Sequence, residues 1–72
     1  LYTMKKIKIK VNGKNRSISE IYKLSDLIKH LKIPLKKVAI ELNQEIIDKK
    51  KIYKIKLKQN DKIEIVHFIG GG

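Results

Sequence analysis

The chain contains the sequence Lys6-Ile7-Lys8-Ile9-Lys10-Val11-Asn12-Gly13. Apolar and lysine side chains alternate strictly along it, which is typical of a β-strand with one buried face. Asn12-Gly13 closes the stretch, and both residues tolerate the positive φ that a two-residue hairpin turn requires. We therefore expect a short polar strand over residues 14–19, with Ile18 as its apolar anchor, to return beside the first strand.

An apolar stripe with helical spacing follows the hairpin. Leu24, Leu27, Ile28 and Leu31 recur at positions i, i+3, i+4 and i+7, and this spacing predicts a helix of about ten residues. Pro34 ends that helix, because the residue before a proline avoids the α region. A helix with one apolar stripe must bury it against another element, which here is the face of a sheet.

The rest of the chain supplies the remaining strands. Residues 38–42 alternate as a third strand, residues 45–47 form a short returning piece, and residues 62–68 form the last strand. The lysine-rich segment 48–58 is predicted as a loop with about one turn of helix. A hairpin followed by a crossover helix would make the third strand parallel to the first. The predicted class is α+β, a β-grasp or ubiquitin-like mixed sheet of about four or five strands with one helix packed across it.

Composition narrows the classes of function. The chain has 72 residues and no cysteine, which excludes disulfides, cysteine-ligated metals and thiol nucleophiles. No apolar run approaches the ~20 residues that span a bilayer, and the N-terminal residues lack the apolar core of a signal peptide. The net charge of +11 comes almost entirely from lysines spread along the chain, with Arg16 the only arginine. Because base readout favours arginine and single-strand binding favours aromatic stacking, we expect no nucleic-acid partner. Because the lysines are spread along the chain and form no local patch, we also expect no membrane partner.

The titratable side chains do not form a catalytic constellation. His30 and His67 stand apart from clustered carboxylates, so the sequence predicts no catalytic residue, no metal site and no bound cofactor. We expect a single domain over residues 4–69 that is cytoplasmic and monomeric when free. Met4 is expected to be the biological start, with residues 1–3 an expression remnant or an alternative start.

Residues 70–72 are the glycines of Ile69-Gly70-Gly71-Gly72 and are expected to form a flexible tail. Glycine has no side chain to pack and a large conformational entropy, so this tail adds nothing to a core. A frayed end is one interpretation. The other is a tail that threads into a narrow channel, because three extended residues reach about 10 Å. That reach would carry the carboxylate of Gly72 into the active site of another protein.

The last strand also presents apolar side chains next to this tail. Ile63 and Ile65 share one face and are expected to pack under the helix, so Val66 and Phe68 point the other way. Two exposed apolar residues on one strand, followed by Ile69, are a candidate contact patch for a partner. The alternative interpretation is that a small core leaves some apolar side chains at its edge.

These pieces together resemble the sulfur carrier proteins of the thiamine pathway, the small ubiquitin-like partners of thiazole synthase. The resemblance covers nearly the whole chain from Met4. The pieces that carry it are Val11-Asn12-Gly13, Leu24, Asp26-Leu27-Ile28, Leu31, Val38-Ala39-Ile40-Glu41-Leu42-Asn43, Glu45-Ile46-Ile47 and the run from Asp61 to Gly72. The chain departs from the family pattern at Gln44 and Asn60, where the family often has glycine, and in its high lysine content.

The resemblance implies a carrier and not an enzyme. An E1-like adenylating enzyme would use ATP to join the Gly72 carboxylate to AMP, and a persulfide donor of the cysteine desulfurase type would convert it to a thiocarboxylate. Thiazole synthase would then take the sulfur for the thiazole ring of thiamine. Gly70 and Gly71 would let the backbone approach the nucleotide closely, while Val66, Phe68 and Ile69 would dock on the partner.

Three alternatives stay open at this point. The first is a carrier for another pathway, such as molybdopterin synthesis or tRNA thiolation. The small subunit of molybdopterin synthase shares the fold and a Gly-Gly end, but it usually carries prolines before the glycines, and no proline follows Pro34 here. The second is a ubiquitin-like tag joined to lysines of target proteins. The third is a lysine-driven nucleic-acid binder, which gives the glycine tail no role.

Overall fold

The computed structural model describes residues 3–69. Within that range the chain forms five strands, one α-helix and two 3-10 helices, η1 and η2. In chain order the elements are β1 (Lys6–Val11), β2 (Lys14–Ser19), α1 (Leu24–His30), η1 (Leu35–Lys37), β3 (Val38–Leu42), β4 (Glu45–Ile46), η2 (Lys49–Lys54) and β5 (Lys62–His67).

The five strands form one mixed sheet in the order β2-β1-β5-β3-β4. The neighbours pair antiparallel except for β1 and β5, which run parallel. The last strand therefore lies in the centre of the sheet. A mixed sheet with one α-helix among the described residues confirms the predicted β-grasp class.

The predicted direction of β3 is wrong. We expected β3 to run parallel to β1, but β3 is antiparallel to β5, and β5 is parallel to β1. The crossover rule holds only for a strand that follows the helix and lies parallel in the same sheet. Here β5 takes the parallel place beside β1, and β3 lies on its far side.

The helix α1 is shorter than its apolar stripe. Leu31 is the C-terminal cap, and Lys32 takes a left-handed φ of 55°, so the helix stops after seven residues. At the other end Lys23 precedes the helix, and its backbone N–H donates to Asp26 Oδ2 at 2.8 Å. That bond is one half of a capping box and satisfies a donor that the lysine side chain cannot. Leu31 still packs on the core from its place in the cap.

The core lies between α1 and the inner face of the sheet. It consists of fully or nearly fully buried aliphatic side chains from every layer: Ile9, Val11, Ile18, Leu24, Leu27, Ile28, Val38, Ile40, Ile52, Leu57, Ile63 and Ile65. Ile52 comes from η2, which lies within the lysine-rich segment that we predicted as loop with one helical turn. The central position of β5 makes Ile63, 1% exposed, a shared contact of both halves of the sheet.

Two of the tight turns contain Gln44 and Asn60, at which the sequence resemblance led us to expect glycine. Gln44 has a φ of 73° and Asn60 a φ of 71°. Both values lie in the left-handed region that glycine adopts without steric cost, and asparagine tolerates it better than glutamine. The backbone at these positions therefore has a conformation that glycine adopts more readily than the residues present.

Candidate functional site

The end of β5 carries the candidate site. Its side chains alternate as predicted, because Ile63 and Ile65 are buried while Val66 is 54% and Phe68 is 60% exposed. Ile69, the next residue after Phe68, is fully exposed. These three residues lie on or beside the face of the sheet opposite α1, which we call the outer face. Their docking role stays a prediction.

Strand β4 adds an apolar residue that sequence reasoning missed. Ile46 is 80% exposed and pairs with Glu41 of β3, which places it on the outer face. Val66 pairs with Ala39 one row closer to the tail. We call Ile46, Val66 and Phe68 the apolar patch. The signal for Ile46 was its alternation with Glu45, but a two-residue strand is too short for alternation alone to fix its register.

Charges divide the outer face into two halves. Glu41 of β3 lies directly opposite Glu64 of β5, in the same row as Ile46. Like charges that face each other across a strand pair are destabilising. The other half of the outer face is basic, since the strictly alternating lysines of β1 point outward there with Lys62 of β5. Ile46 and Val66 of the apolar patch thus lie on the half that carries the two facing glutamates.

The root of the tail is fixed at Phe68 by its main chain and by its ring. The backbone N–H of Phe68 donates to the carbonyl oxygen of Lys37 at 2.9 Å. The ammonium nitrogen of Lys49 lies 5.3 Å from the centroid of the Phe68 ring. The same nitrogen donates to the carbonyl oxygens of Leu35 at 3.0 Å and Val38 at 2.8 Å. Sequence reasoning missed Lys49, because one lysine among so many carries no distinguishing pattern.

The side chain of Asn12 supports the same strand from the other edge. Backbone pairing between β1 and β5 ends at Val11 and Ile63. Beyond it, Asn12 Oδ1 accepts from the Ile65 N–H at 2.7 Å, and Asn12 Nδ2 donates to the Ile65 carbonyl at 3.2 Å. A turn residue thereby supplies the hydrogen bonds that another strand residue would have made.

The predicted tail residues Gly70, Gly71 and Gly72 lie outside the described residues. Within residues 3–69 no group of three or more metal-ligating side chains could hold a metal ion. Over the same range, the α-helix falls short of the length and apolar character needed to cross a membrane. His30 and His67, for which we predicted no catalytic role, are both exposed. The His30 ring contacts the Tyr22 ring edge-on, with 6.3 Å between the ring centroids.

The architecture defines a small β-grasp domain whose last strand leads into exposed apolar side chains. The fold superposes with a TM-score of 0.80 on the crystal structure of a thiamine biosynthesis protein (ThiS) from Geobacter metallireducens. That match has 29% sequence identity and covers 92% of this chain and all of the other. The ThiS family model matches residues 9–72, and the chain belongs to the ThiS family.

Two curated relatives extend the comparison. The chain is 37% identical over 65 residues to the sulfur carrier protein ThiS of Bacillus subtilis, covering 89% of this chain and 98% of the relative. It is 38% identical over 66 residues to a thiazole synthase of Paramagnetospirillum magneticum, covering 92% of this chain. The chain spans only 20% of that thiazole synthase.

These matches confirm the resemblance predicted from the sequence. The ThiS family consists of sulfur carriers in thiamine biosynthesis, which are small proteins that partner enzymes act on. Membership of this family agrees with the expectation that the protein is a carrier and not a catalyst.

Proposed function

We propose that the carboxyl group of Gly72 carries sulfur as a thiocarboxylate and delivers it to thiazole synthase for the thiazole ring of thiamine. The observation that carries this proposal is the ThiS family match over residues 9–72, which includes all three tail glycines. The apolar patch and the exposed Ile69 support it, because they put a contact surface beside the root of the tail.

The carboxylate needs activation before it can accept sulfur, because its negative charge repels nucleophiles. A Gly72 carboxylate oxygen attacks the α-phosphorus of ATP, which forms an acyl adenylate and releases pyrophosphate. The terminal sulfur of a persulfide then attacks the acyl carbon, and AMP leaves. A thiol finally cleaves the sulfur–sulfur bond of the resulting acyl disulfide, which leaves the thiocarboxylate and a disulfide. ATP, the persulfide donor and the thiol all act from partner proteins or solution.

The domain contributes positioning to this chemistry. An adenylating enzyme of the E1 type would bind the apolar patch and receive the tail, and Gly70 and Gly71 would let the backbone pass close to the nucleotide. Holding the carboxylate near the α-phosphorus converts a bimolecular encounter into a local one. The carrier therefore needs a reliable exit direction more than it needs reactive side chains.

Thiazole synthase is the proposed acceptor of the sulfur. In the Paramagnetospirillum magneticum protein, a segment similar to this chain is part of a thiazole synthase polypeptide. A second thiazole synthase, from Magnetococcus marinus, contains a similar segment at 35% identity. Because a segment similar to this carrier is joined to thiazole synthase in those two proteins, we expect the two to bind each other when they are separate chains.

Intact-mass measurement tests the proposal. The protein ending at Gly72 is incubated with its adenylating enzyme, ATP, a cysteine desulfurase and cysteine. We expect a mass gain equal to the difference between one sulfur and one oxygen atom, located on Gly72. The matched control carries one extra alanine after Gly72, which displaces the carboxyl group by ~3.5 Å, and we expect it to gain no sulfur.

An unchanged mass while the same enzymes thiolate the Bacillus subtilis carrier would overturn the proposal. Isopeptide-linked species on a denaturing gel would instead identify a protein tag. Thiolation of the extended control would show that the position of the carboxyl group is not critical.

A further inference from the structure

Lys49 differs from every other lysine in residues 3–69. The others are exposed, whereas Lys49 is half-buried. A lysine side chain loses most of its rotamer freedom when it is ordered, so a fixed lysine needs strong contacts in return. Lys49 has them, because its ammonium donates to the backbone carbonyls of Leu35, the first residue of η1, and Val38, the residue that follows η1.

The same ammonium also reaches the root of the tail. Its nitrogen lies 5.3 Å from the centroid of the Phe68 ring, within the ~6 Å range of a cation–π interaction. The Phe68 N–H donates to the carbonyl oxygen of Lys37. In the chain, Lys37 lies between Leu35 and Val38, whose carbonyls accept from Lys49. We call Lys37, Lys49 and Phe68 the tail-root clamp. It joins η2, the end of η1 and the residue after β5 at one point.

This point is where the chain leaves the sheet. The pairing of β5 with β3 ends at His67 and Val38, and the Phe68 N–H makes the next hydrogen bond along the chain. Ile69 follows and is fully exposed. The chain is therefore still held beside the sheet at Phe68, two residues before the first glycine of the tail. A fixed origin confines the volume that a short flexible segment can sample, and this raises the effective concentration of its end at a target.

We infer that Lys49 is a positioning residue for the reaction at Gly72. Its ammonium holds Phe68 and the end of η1 together, so that the tail leaves the docked domain in one direction. This inference rests on the proposed function, because it concerns the rate at which the Gly72 carboxyl group meets the nucleotide. Lys49 acts in this inference through the groups that its ammonium contacts, which are the Phe68 ring and the backbone carbonyls of Leu35 and Val38.

Steady-state adenylation kinetics separate positioning from docking. With the adenylating enzyme and ATP, pyrophosphate release is measured against the concentration of the carrier. A misplacement of about 1 Å can cost about 100-fold in rate, so we expect Lys49→Met to lower kcat about 10-fold while KM changes less than about twofold. Lys50→Met is the matched control, since it removes the same charge from the next residue of η2, where the side chain is exposed. We expect it to leave both constants unchanged.

A conservative variant tests whether the charge is what matters. Lys49→Arg keeps a cation with several donors and the capacity for a cation–π contact. We expect it to recover part of the kcat that Lys49→Met loses. Equal kcat for Lys49→Met and the wild type would overturn the inference. So would a loss confined to KM, or an equal loss in Lys50→Met.

Amide hydrogen exchange tests the clamp without any partner. We expect Lys49→Met to speed exchange at the Phe68 N–H about 10-fold or more, while the buried Ile40 N–H changes only with global stability. Lys50→Met should leave Phe68 unchanged. Unchanged Phe68 exchange in Lys49→Met would overturn the clamp. If the wild-type carrier is not adenylated at all, the proposed function fails and the positioning role falls with it, whereas the exchange result still decides whether the clamp exists.

Discussion

The two ends of β5 differ in what holds them. At the beginning of the strand, Lys62 and Ile63 pair with β1 on one side, and Ile63 also pairs with β3 on the other. At its end, Val66 and His67 pair with β3 alone. The first end buries Ile63 in the core, whereas the second exposes Val66 and leads to Phe68.

The difference shows how one short strand can both stabilise the fold and expose apolar side chains to a partner. The beginning of β5 pairs with strands on both sides and so joins the two halves of the sheet. The end of β5 pairs with β3 alone, and it presents Val66 to solvent while the core side chains stay buried. Substitutions at the two ends should therefore separate loss of folding from loss of partner binding. Four substitutions test that separation, taken here from the largest to the smallest expected effect on stability.

The largest effect is expected at the buried beginning. Ile63→Ala should lower the free energy of unfolding by about 2–5 kcal/mol, because it removes a fully buried side chain and leaves a cavity. Val66→Ala, the matched truncation on the exposed end, should cost less than about 1 kcal/mol. Urea denaturation followed by circular dichroism measures both. Equal losses at the two positions would erase the contrast between the ends of β5.

The second prediction concerns Asn12, whose side chain bonds the Ile65 backbone beyond the last paired residues of β1 and β5. Asn12→Ala should cost about 1–3 kcal/mol, because it leaves the part-buried Ile65 N–H without its acceptor. Asn12→Asp retains an acceptor for that N–H but places a carboxylate oxygen against the Ile65 carbonyl oxygen, so it should also destabilise the protein. Urea denaturation gives the stabilities, and hydrogen exchange at Ile65 locates the effect. Unchanged Ile65 exchange in Asn12→Ala would contradict the bridging role.

The third prediction moves to the exposed end. Phe68→Ala should cost less than about 1 kcal/mol in stability, since most of the ring is exposed. It should weaken binding to the adenylating enzyme about 10-fold or more, as loss of an aromatic anchor at an interface does. Isothermal titration calorimetry measures the affinity. A stability loss of about 3–5 kcal/mol with unchanged binding would show that Phe68 belongs to the core.

The smallest effect is a gain in stability. Glu64→Gln removes one of two carboxylates that face each other across β3 and β5, and we expect the free energy of unfolding to rise by about 0.2–0.5 kcal/mol. Glu45→Gln is the control, because Glu45 pairs with Leu42 and has no carboxylate directly opposite. Thermal unfolding at low salt measures both. A gain that is no larger for Glu64→Gln than for Glu45→Gln would mean that the facing pair costs nothing.

Much of this fold was predictable because its strands have strict patterns. The alternation ending in Asn12-Gly13 predicted the first hairpin, and the alternation around Ile63 and Ile65 predicted which face of β5 is buried. The predicted direction of β3 was wrong because the sequence pattern of a strand reveals which face is buried but not which strands it pairs with. The length of the helix was overestimated because Leu31 keeps the spacing of the stripe although it is the C-terminal cap, one residue before the left-handed Lys32.

The candidate site was predicted less completely than the fold. Val66 and Phe68 could be placed on the outer face from alternation alone, and their exposure agrees. Lys49 and Asn12 act through hydrogen bonds to distant backbone groups. Such bonds depend on which strands become neighbours, and local sequence does not contain that information.

The central place of β5 also matters for how the protein is made. Strands β1 and β3 pair with β5 and with their own hairpin partners, but not with each other. The ribosome releases residues 62–67 after all the other strands, so the sheet cannot close until synthesis has passed them. We expect a polypeptide that terminates prematurely before β5 to remain unfolded and to be degraded. Cellular quality control would thereby remove chains that lack both β5 and the tail before they could compete for the proposed activating enzyme.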